Sequence, residues 1–259
     1  MKNLMTALTI ACLASSFPAH AKEWTTIRFA TDASYPPFES KAPNGSLVGF
    51  DIDLGNEICA RIHARCVWIE NSFDGMIPGL KARKFDAVLS SMTMTPKREE
   101  QIGFSVRLYN TGSRLIVAKG SNLQPTAESL AGKSVGVEQG TIQEIYARTC
   151  WEPKGTRVVA YQNQDQVYAD LMSGRLDAVL QNQVQADLGF LKTPRGANFT
   201  FAGTALNDPK ILGKGTGIGM RKEDTDLKAD IDDAIAGMLR DGTYLKIAKK
   251  YFDFNIYGE

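Results

Sequence analysis

Apolar residues occur along the chain in two alternating patterns, each typical of one kind of secondary structure. Short continuous apolar runs predict buried strands at 27–30, 67–69 and 86–89. Longer stretches with apolar residues at four-residue steps predict amphipathic helices at 50–65 and 73–82. This order of strand, helix and strand predicts an α/β fold with a mainly parallel sheet and helices on both faces.

The middle of the chain repeats this order. After an apolar run at 114–118, strands are predicted at 134–137, 158–161 and 176–180, and helices at 142–149 and 164–173. A sequence echo supports the repeat, because Asp86-Ala-Val-Leu and Asp177-Ala-Val-Leu each begin six residues after a leucine. The repeat predicts two lobes of similar topology.

The C-terminal part adds a predicted strand at 215–220 and helices at 226–239 and 244–251. The second lobe is complete without these elements, so we expect the chain to return to the first lobe near 207–214. The predicted division is lobe 1 at 22–110 and 212–259, and lobe 2 at 111–211. Two connections between lobes predict a two-stranded hinge and a cleft.

The first 21 residues have the pattern of a secretory signal peptide. Lys2 precedes an apolar stretch at 4–17, and the small residues Ala19 and Ala21 fit a cleavage site. The apolar stretch is too short to span a bilayer comfortably, and the residues before Cys12 match a lipoprotein signal poorly. We therefore expect residues 1–21 to be removed on export to the periplasm.

Composition excludes several function classes. The chain has 30 Lys+Arg and 29 Asp+Glu, a net charge of +1, which argues against nucleic-acid binding and a polybasic membrane surface. His20 and His63 are the only histidines, which argues against a His-rich metal site. The glycine-containing segments at 127–134 and 215–219 fit neither a phosphate loop nor a dinucleotide fingerprint, so we expect no metal and no cofactor. In an oxidising compartment, Cys59 and Cys66 are predicted to form a disulfide, and Cys150 is predicted to be a buried free thiol.

Polar segments follow the predicted strands at 31–38, 90–98, 138–143 and 181–183. Ligands of open α/β sheets bind beyond the carboxyl ends of strands, so these segments are expected to meet at one cleft. Arg98 suits a carboxylate, and Asp32 suits a cation. Taken alone, Asp32 could simply cap a turn and Arg98 could be a solvated helix residue. Together they predict a site for a small zwitterion with an additional positive end, and we find no catalytic base.

Several motifs resemble those of the periplasmic polar amino acid-binding proteins, above all the lysine/arginine/ornithine- and histidine-binding proteins. The motifs lie at 31–39, 49–54, 90–93, 95–98 and 241–244. The resemblance implies a periplasmic binding protein fold, a monomer that closes over its ligand, and delivery of that ligand to the membrane subunits of an ABC importer. It also implies a binding protein rather than an enzyme, with a disulfide between Cys59 and Cys66.

The same resemblance implies a set of binding residues. Arg98 would bind the ligand α-carboxylate, Asp32 would bind the distal cation, and Tyr35 and Phe73 would flank the aliphatic part. The residue at 182 would help to bind the α-ammonium. The complete set of implied ligand contacts is Asp32, Tyr35, Phe73, Ser90, Ser91, Thr93, Arg98, Thr141, Ile142, Gln143 and Asn182. Glu39 is assigned no binding role.

Three positions depart from the pattern of the cationic amino acid binders. Asn182 stands where they have aspartate, Glu138 where they have an aliphatic residue, and Ile142 where they have a hydroxyl. A hydrogen bond to a charged group contributes about 1.5–3 kcal/mol, so losing the aspartate would weaken amino acid binding about ten- to a hundredfold.

These departures leave alternatives open. Asn182 also resembles the opine-binding members, whose ligands have a substituted amine and a second carboxylate. Glu138 is a further candidate ligand contact, which could replace the missing charge. An enzyme similar to cyclohexadienyl dehydratases is another alternative, with Glu138 as the only unusual acid or base. A sensor input module is disfavoured because no fused domain is present.

Overall fold

The computed structural model describes residues 23–258, and the predicted signal peptide at 1–21 lies outside them. Two five-stranded sheets form the centres of two lobes. The sheet of lobe 1 contains, in spatial order, β5 (Arg65–Glu70), β1 (Thr26–Thr31), β6 (Ala87–Val88), β13 (Gly219–Met220) and β7 (Gly103–Phe104). The sheet of lobe 2 contains β10 (Arg157–Tyr161), β9 (Ser134–Glu138), β11 (Ala178–Asn182), β8 (Ser113–Ala118) and β12 (Phe199–Leu206).

A small third sheet and the helices surround these two sheets. The small sheet consists of β2 (Ser34–Tyr35), β3 (Glu39–Lys41) and β4 (Leu47–Val48). The helices that follow strands of lobe 1 are α1 (Phe50–Ile62), α2 (Met76–Lys81), α3 (Pro96–Glu99), α9 (Thr225–Asp241) and α10 (Thr243–Ala248). Those that follow strands of lobe 2 are α4 (Ala127–Leu130), α5 (Ile142–Tyr146), α6 (Gln164–Met172), α7 (Gln183–Ala186) and α8 (Pro209–Leu212).

Each large sheet is parallel in one half and antiparallel in the other. In lobe 1, β1 is parallel to β5 and β6, whereas β13 is antiparallel to β6 and β7. In lobe 2, β9 is parallel to β10 and β11, whereas β8 is antiparallel to β11 and β12. The predicted α/β class is confirmed, but the prediction of mainly parallel sheets was too simple. The antiparallel strands β8 and β13 follow passages between the lobes, so no crossover helix sets their direction.

The sequence echo has a structural counterpart at equivalent places in the two sheets. Asp86 accepts a hydrogen bond from the backbone N–H of Arg28 at 3.0 Å, at the start of β1. Asp177 accepts one from the backbone N–H of Ser134 at 2.8 Å, at the start of β9. Each aspartate directly precedes its own strand, β6 or β11, and connects it by a hydrogen bond to the neighbouring parallel strand, β1 or β9. This common interaction explains why the two segments share a motif.

Two segments connect the lobes and pair with each other. The chain leaves the first sheet after Phe104 and enters the second at Ser113, then returns between Leu206 and Gly219. Within these segments Thr216 donates its N–H to the Tyr109 carbonyl at 2.8 Å and accepts from the Leu108 N–H at 2.8 Å. This pairing has the form of a two-stranded hinge.

Some element boundaries differ from the predicted ones because the backbone turns earlier. α1 ends at Ile62, and His63 adopts a left-handed conformation with φ of 61°, so the predicted helix at 50–65 is too long. The predicted helix at 142–149 divides into α5 and a π-helical turn at Ala147–Trp151. Among the described residues no helix combines the length and the apolar character that a membrane span requires.

The predicted disulfide is present between Cys59 of α1 and Cys66 of β5, whose Cα atoms lie 5.8 Å apart. Cys150 is a free thiol, half-buried rather than fully buried. The bridge closes a short loop that contains the whole turn from α1 to β5. It also attaches the edge strand of the lobe 1 sheet to a helix whose apolar face packs in the core.

Reduction of this bridge should lower the free energy of unfolding by about 2–3 kcal/mol, because the closed loop restricts the unfolded chain. Urea unfolding with and without a thiol reductant measures the difference. The double substitution Cys59→Ala and Cys66→Ala serves as the control, and its stability should not respond to the reductant. Equal stability of the oxidised and reduced wild type would contradict this expectation.

Candidate functional site

A cavity lies between the two sheets, at the carboxyl ends of β1, β6, β9 and β11. All of the binding residues inferred from the sequence line it, as does Glu138. The structure adds Glu39, which the sequence reasoning assigned no role. The lining residues are Asp32, Tyr35, Glu39, Phe73, Ser90, Ser91, Thr93, Arg98, Glu138, Thr141, Ile142, Gln143 and Asn182.

Hydrogen bonds join the lobes across this cavity. Tyr35 of lobe 1 donates its hydroxyl to Gln181 Oε1 of lobe 2 at 2.8 Å. Arg98 of lobe 1 donates Nη2 to the Gly140 carbonyl of lobe 2 at 3.1 Å. The structure therefore shows the two lobes closed on each other.

The closed contact requires glycine at two positions of lobe 2. A Cβ at Gly140, which has φ of +80°, would lie 2.7 Å from the Cα of Asp74. A Cβ at Gly189 would lie 2.4 Å from the carbonyl oxygen of Pro36. Both distances are too short for real atoms, so any larger residue would hold the lobes apart.

Arg98 is a buried cation held in place by its own short helix. Pro96 starts α3, and the Thr95 side chain caps it by accepting the Arg98 N–H at 3.3 Å. The guanidinium donates to the Thr93 carbonyl at 2.8 Å and lies over the Phe73 ring at 5.3 Å. Within residues 23–258 it has no ion-pair partner.

Burial lowers the pKa of Arg98 to about 10, so the guanidinium remains charged at neutral pH. A buried charge of this kind is costly unless it is neutralised, and its remaining N–H groups suit the planar fork of a carboxylate. This end of the cavity therefore has the chemistry of an anion site.

The start of α5 lies opposite Arg98. Thr141 caps the helix by accepting the Glu144 N–H at 3.2 Å, and Glu144 in turn accepts the Gly140 N–H at 2.7 Å. These two caps do not use the N–H groups of Thr141 and Ile142. Helix N-termini favour anions, so these groups reinforce the positive character that Arg98 gives this end.

Carboxyl groups occupy the other end of the cavity. Asp32 Oδ1 accepts hydrogen bonds from the Ser34 N–H at 3.2 Å and from its hydroxyl at 2.6 Å. Ser90 links two acids, because its hydroxyl accepts the Asp32 N–H at 2.9 Å and donates to Glu39 at 2.9 Å. Burial raises the pKa of Asp32, although the hydrogen bonds from Ser34 oppose this effect.

Glu138 belongs to this acidic end and not to the end that contains Asn182. It is the last residue of β9, only 3% of its surface is exposed, and a side-chain hydrogen bond joins it to Asp32. Burial and the neighbouring Asp32 charge raise the pKa of Glu138 well above its usual value. The acidic end thus combines Asp32 and Glu39 from lobe 1 with Glu138 from lobe 2.

Asn182 uses its side chain to start a helix. Its Oδ1 accepts the N–H groups of Val184 at 2.9 Å and Gln185 at 3.2 Å, as a cap of α7. Its Nδ2 donates to Thr111 Oγ1 at 2.6 Å. An amide oxygen has two lone pairs, so both are occupied, and Asn182 has only N–H left to present to a ligand.

Two buried acids support the site from within lobe 1, and sequence reasoning assigned neither a role. Asp51 accepts the Ser91 N–H at 2.8 Å and the Tyr109 hydroxyl at 2.9 Å. Ser91 has φ of +48°, a strained conformation for a residue with a side chain, and this hydrogen bond holds it there. Glu39 was detectable, since it directly follows the polar segment 31–38; Asp51 carried no signal beyond its motif.

Comparison with known proteins identifies the family of this chain. Residues 27–254 match the bacterial extracellular solute-binding proteins, family 3. The chain belongs to this family. The resemblance inferred from the sequence motifs is therefore confirmed.

The relatives of this family 3 protein are described as binding proteins. It is 52% identical to the lysine/arginine/ornithine-binding periplasmic protein of Escherichia coli K12, over 100% of both chains. It is 50% identical to the histidine-binding periplasmic protein of the same strain, again over 100% of both. A solved structure of an ancestral arginine-binding protein bound to arginine matches with a TM-score of 0.83 at 35% identity, covering 89% of this chain and 100% of that one.

The Glu39–Asp51 pair should make the stability of this family 3 protein depend on pH. Burial raises the pKa of both carboxyls. Asp51 raises the pKa of Glu39 further, whereas the hydrogen bond with Glu39 lowers that of Asp51, so the folded protein retains a proton on Glu39. An unfolded glutamate loses its proton above a pKa of about 4.3, so the stabilising contribution is present at low pH and declines as pH rises.

Glu39→Gln should remove much of this decline, because the amide mimics the protonated acid and can donate to Asp51. One retained proton corresponds to at most about 4 kcal/mol between pH 5 and pH 8. Urea unfolding of wild type and variant at the two pH values measures the slopes. Glu70→Gln, an exposed acid of the same lobe, is the control. Parallel slopes for wild type and Glu39→Gln would show that the pair retains no proton.

Proposed function

We propose that this protein binds a cationic amino acid, or a derivative of one, in the cavity between its lobes and delivers it to the membrane subunits of an ABC importer. The candidate ligands are arginine, lysine, ornithine and histidine. We also propose that residues 1–21 direct the chain to the periplasm as a cleavable signal peptide, since the relatives in Escherichia coli are periplasmic proteins.

The observation that carries this proposal is the separation of buried charges along the cavity. Arg98 is buried at one end, where the described part of the chain provides no carboxylate partner, and Asp32, Glu39 and Glu138 lie at the other end. A small molecule with a carboxylate and a distal cation would neutralise both ends at once. The similarity to proteins named for lysine, arginine, ornithine and histidine binding supports the same ligand class.

Individual residues take the following roles. Arg98 and the N–H groups at the start of α5 bind the α-carboxylate, while Asp32 accepts from the distal cation. Tyr35 and Phe73 enclose the aliphatic part between aromatic rings. Closure of the lobes removes water from these contacts, which strengthens each electrostatic interaction. We infer that the closed form is the one presented to the importer.

A second candidate is an amino acid derivative that carries a further carboxylate on its amine, as an opine does. The occupied lone pairs of Asn182 favour it, because the amide offers an N–H where an ammonium would need an acceptor. Within the same region, the Ser91 carbonyl and the Thr93 hydroxyl are the acceptors that an unsubstituted ammonium would use.

Ligand binding should raise the melting temperature of the purified mature protein. A ligand at one hundred times its dissociation constant stabilises the folded state by about 2.7 kcal/mol. A thermal-shift screen should include the four cationic amino acids, an N-carboxyalkyl derivative of arginine, and glutamate as a control of the wrong charge. Arg98→Ala should lose the shift. The absence of any shift with every cationic compound at millimolar concentration would refute the proposal.

Asn182→Asp should tighten the binding of arginine about ten- to a hundredfold, because aspartate adds a charged acceptor for the α-ammonium. Aspartate also caps helices, so α7 should remain intact. The N-carboxyalkyl derivative should instead bind more weakly, because its second carboxylate would face the new charge. Titration calorimetry with both ligands measures the two effects.

Asn182→Ala is the matched control for this substitution. It removes the cap and should cost about 1 kcal/mol of stability without adding charge. An arginine affinity that is the same in wild type and Asn182→Asp would contradict the placement of residue 182 at the α-ammonium end.

A further inference from the structure

Glu138 is a buried acid whose position the fold alone does not explain. It ends β9 in lobe 2, lines the cavity, and has an Oε1 atom that accepts no hydrogen bond from a donor group of residues 23–258. Buried polar atoms in native proteins are nearly always satisfied, so an orphaned carboxylate oxygen at a cavity wall indicates a missing donor.

The groups that surround Glu138 are not cations, so they cannot provide a positively charged hydrogen-bond donor. They are acids and phenols that come from both lobes, namely Asp32, Tyr35, Asp74, Asp165 and Tyr168. Arg195 lies further out, in an exposed ion pair with Asp165 at 2.9 Å. Without a ligand, a shared proton limits the negative charge of Asp32 and Glu138. When both carboxyls are ionised, the balancing positive charge has to come from a molecule in the cavity.

The partner of Glu138 across the cavity is Asp32. Both hydrogen bonds from Ser34 reach Oδ1 of Asp32, and the Phe73 backbone and the Glu138 side chain also interact with this carboxyl. Glu138 contributes Oε1 from the opposite lobe. Two carboxylates that approach from opposite sides suit a planar group with N–H donors on more than one edge, which is the geometry of guanidinium.

We propose that Glu138 is a specificity-determining residue that, together with Asp32, holds a distal guanidinium between two carboxylates, one from each lobe. This proposal rests on the proposed function and narrows its ligand class to guanidinium compounds over those with a single ammonium. Glu138 acts at the distal cation and does not replace the charge absent from position 182.

Binding of a guanidinium between Asp32 and Glu138 would displace a proton. The side-chain hydrogen bond between Asp32 and Glu138 requires a proton on one of the two carboxyls. A guanidinium that takes this place supplies the positive charge, and the proton passes to solvent. Ligand binding near neutral pH is therefore coupled to proton release.

The decisive experiment compares arginine with 5-guanidinopentanoate, which is arginine without the α-amine. Glu138→Gln should weaken binding of both compounds by a similar factor of about ten to a hundred, because each loses the same charged hydrogen bond. Wild type should bind arginine more tightly than lysine, and Glu138→Leu should reduce that ratio. Calorimetry in two buffers of different ionisation enthalpy should show proton release that is smaller in both variants.

Asp165→Asn is the matched control, since Asp165 adds negative charge near Glu138 but does not line the cavity. It should change neither affinity more than about threefold, well below the loss of one charged hydrogen bond. A loss with Glu138→Gln that is confined to arginine would assign Glu138 to the α-ammonium and overturn the proposal. Unchanged affinities would overturn it as well.

The two proposals can fail separately. If wild type binds cationic amino acids and Glu138→Gln does not show the expected pattern, only the role of Glu138 is wrong. If wild type binds no guanidinium or ammonium compound, the proposed function fails, and the role of Glu138 fails with it. Melting temperatures of the variants confirm folding, and Glu138→Gln keeps the shape of the side chain while removing a buried charge.

Discussion

Opposite charges buried at the two ends of one closed cavity are the constraint on which this molecule depends. Arg98 at one end and the carboxyls of Asp32, Glu39 and Glu138 at the other are all removed from bulk water. They do not neutralise each other directly, because the cavity separates them. Burial therefore lowers the pKa of the cation and raises those of the acids. A ligand with complementary ends removes this cost, and it does so only when both lobes contribute.

The fold meets this constraint with short, well-capped elements at the ends of strands. Thr95 fixes the start of α3 and with it Arg98, while Thr141 and Asn182 cap α5 and α7 on the opposite lobe. Asp86 and Asp177 form equivalent hydrogen bonds in the two sheets, each between neighbouring parallel strands. The elements that contribute the cavity residues are thus each fixed within their own lobe by local hydrogen bonds.

The sequence predicted the location of the site better than its hydrogen bonding. Strand periodicity and the rule that ligands bind beyond strand ends were sufficient to collect Asp32, Arg98 and the start of α5 at one cleft. The antiparallel strands were not predicted, because they depend on where the chain returns from the other lobe. The cap formed by Asn182 is local but was not considered, because position 182 was interpreted as a ligand contact. The Glu39–Asp51 pair was missed because residues on separate elements become one proton-sharing group only after folding.

The cavity is lined by all of the binding residues that the motifs imply. Within this lining, positions 138 and 182 differ from the pattern of the cationic amino acid binders. Asparagine at position 182 caps its helix as well as aspartate would, and it has no charge. Position 138 has a carboxyl that interacts with Asp32. The negative charge of the cavity is consequently concentrated around the distal group of a ligand. With the roles proposed for these residues, the protein gains its selectivity from the distal end of the ligand and tolerates more variation at the amine.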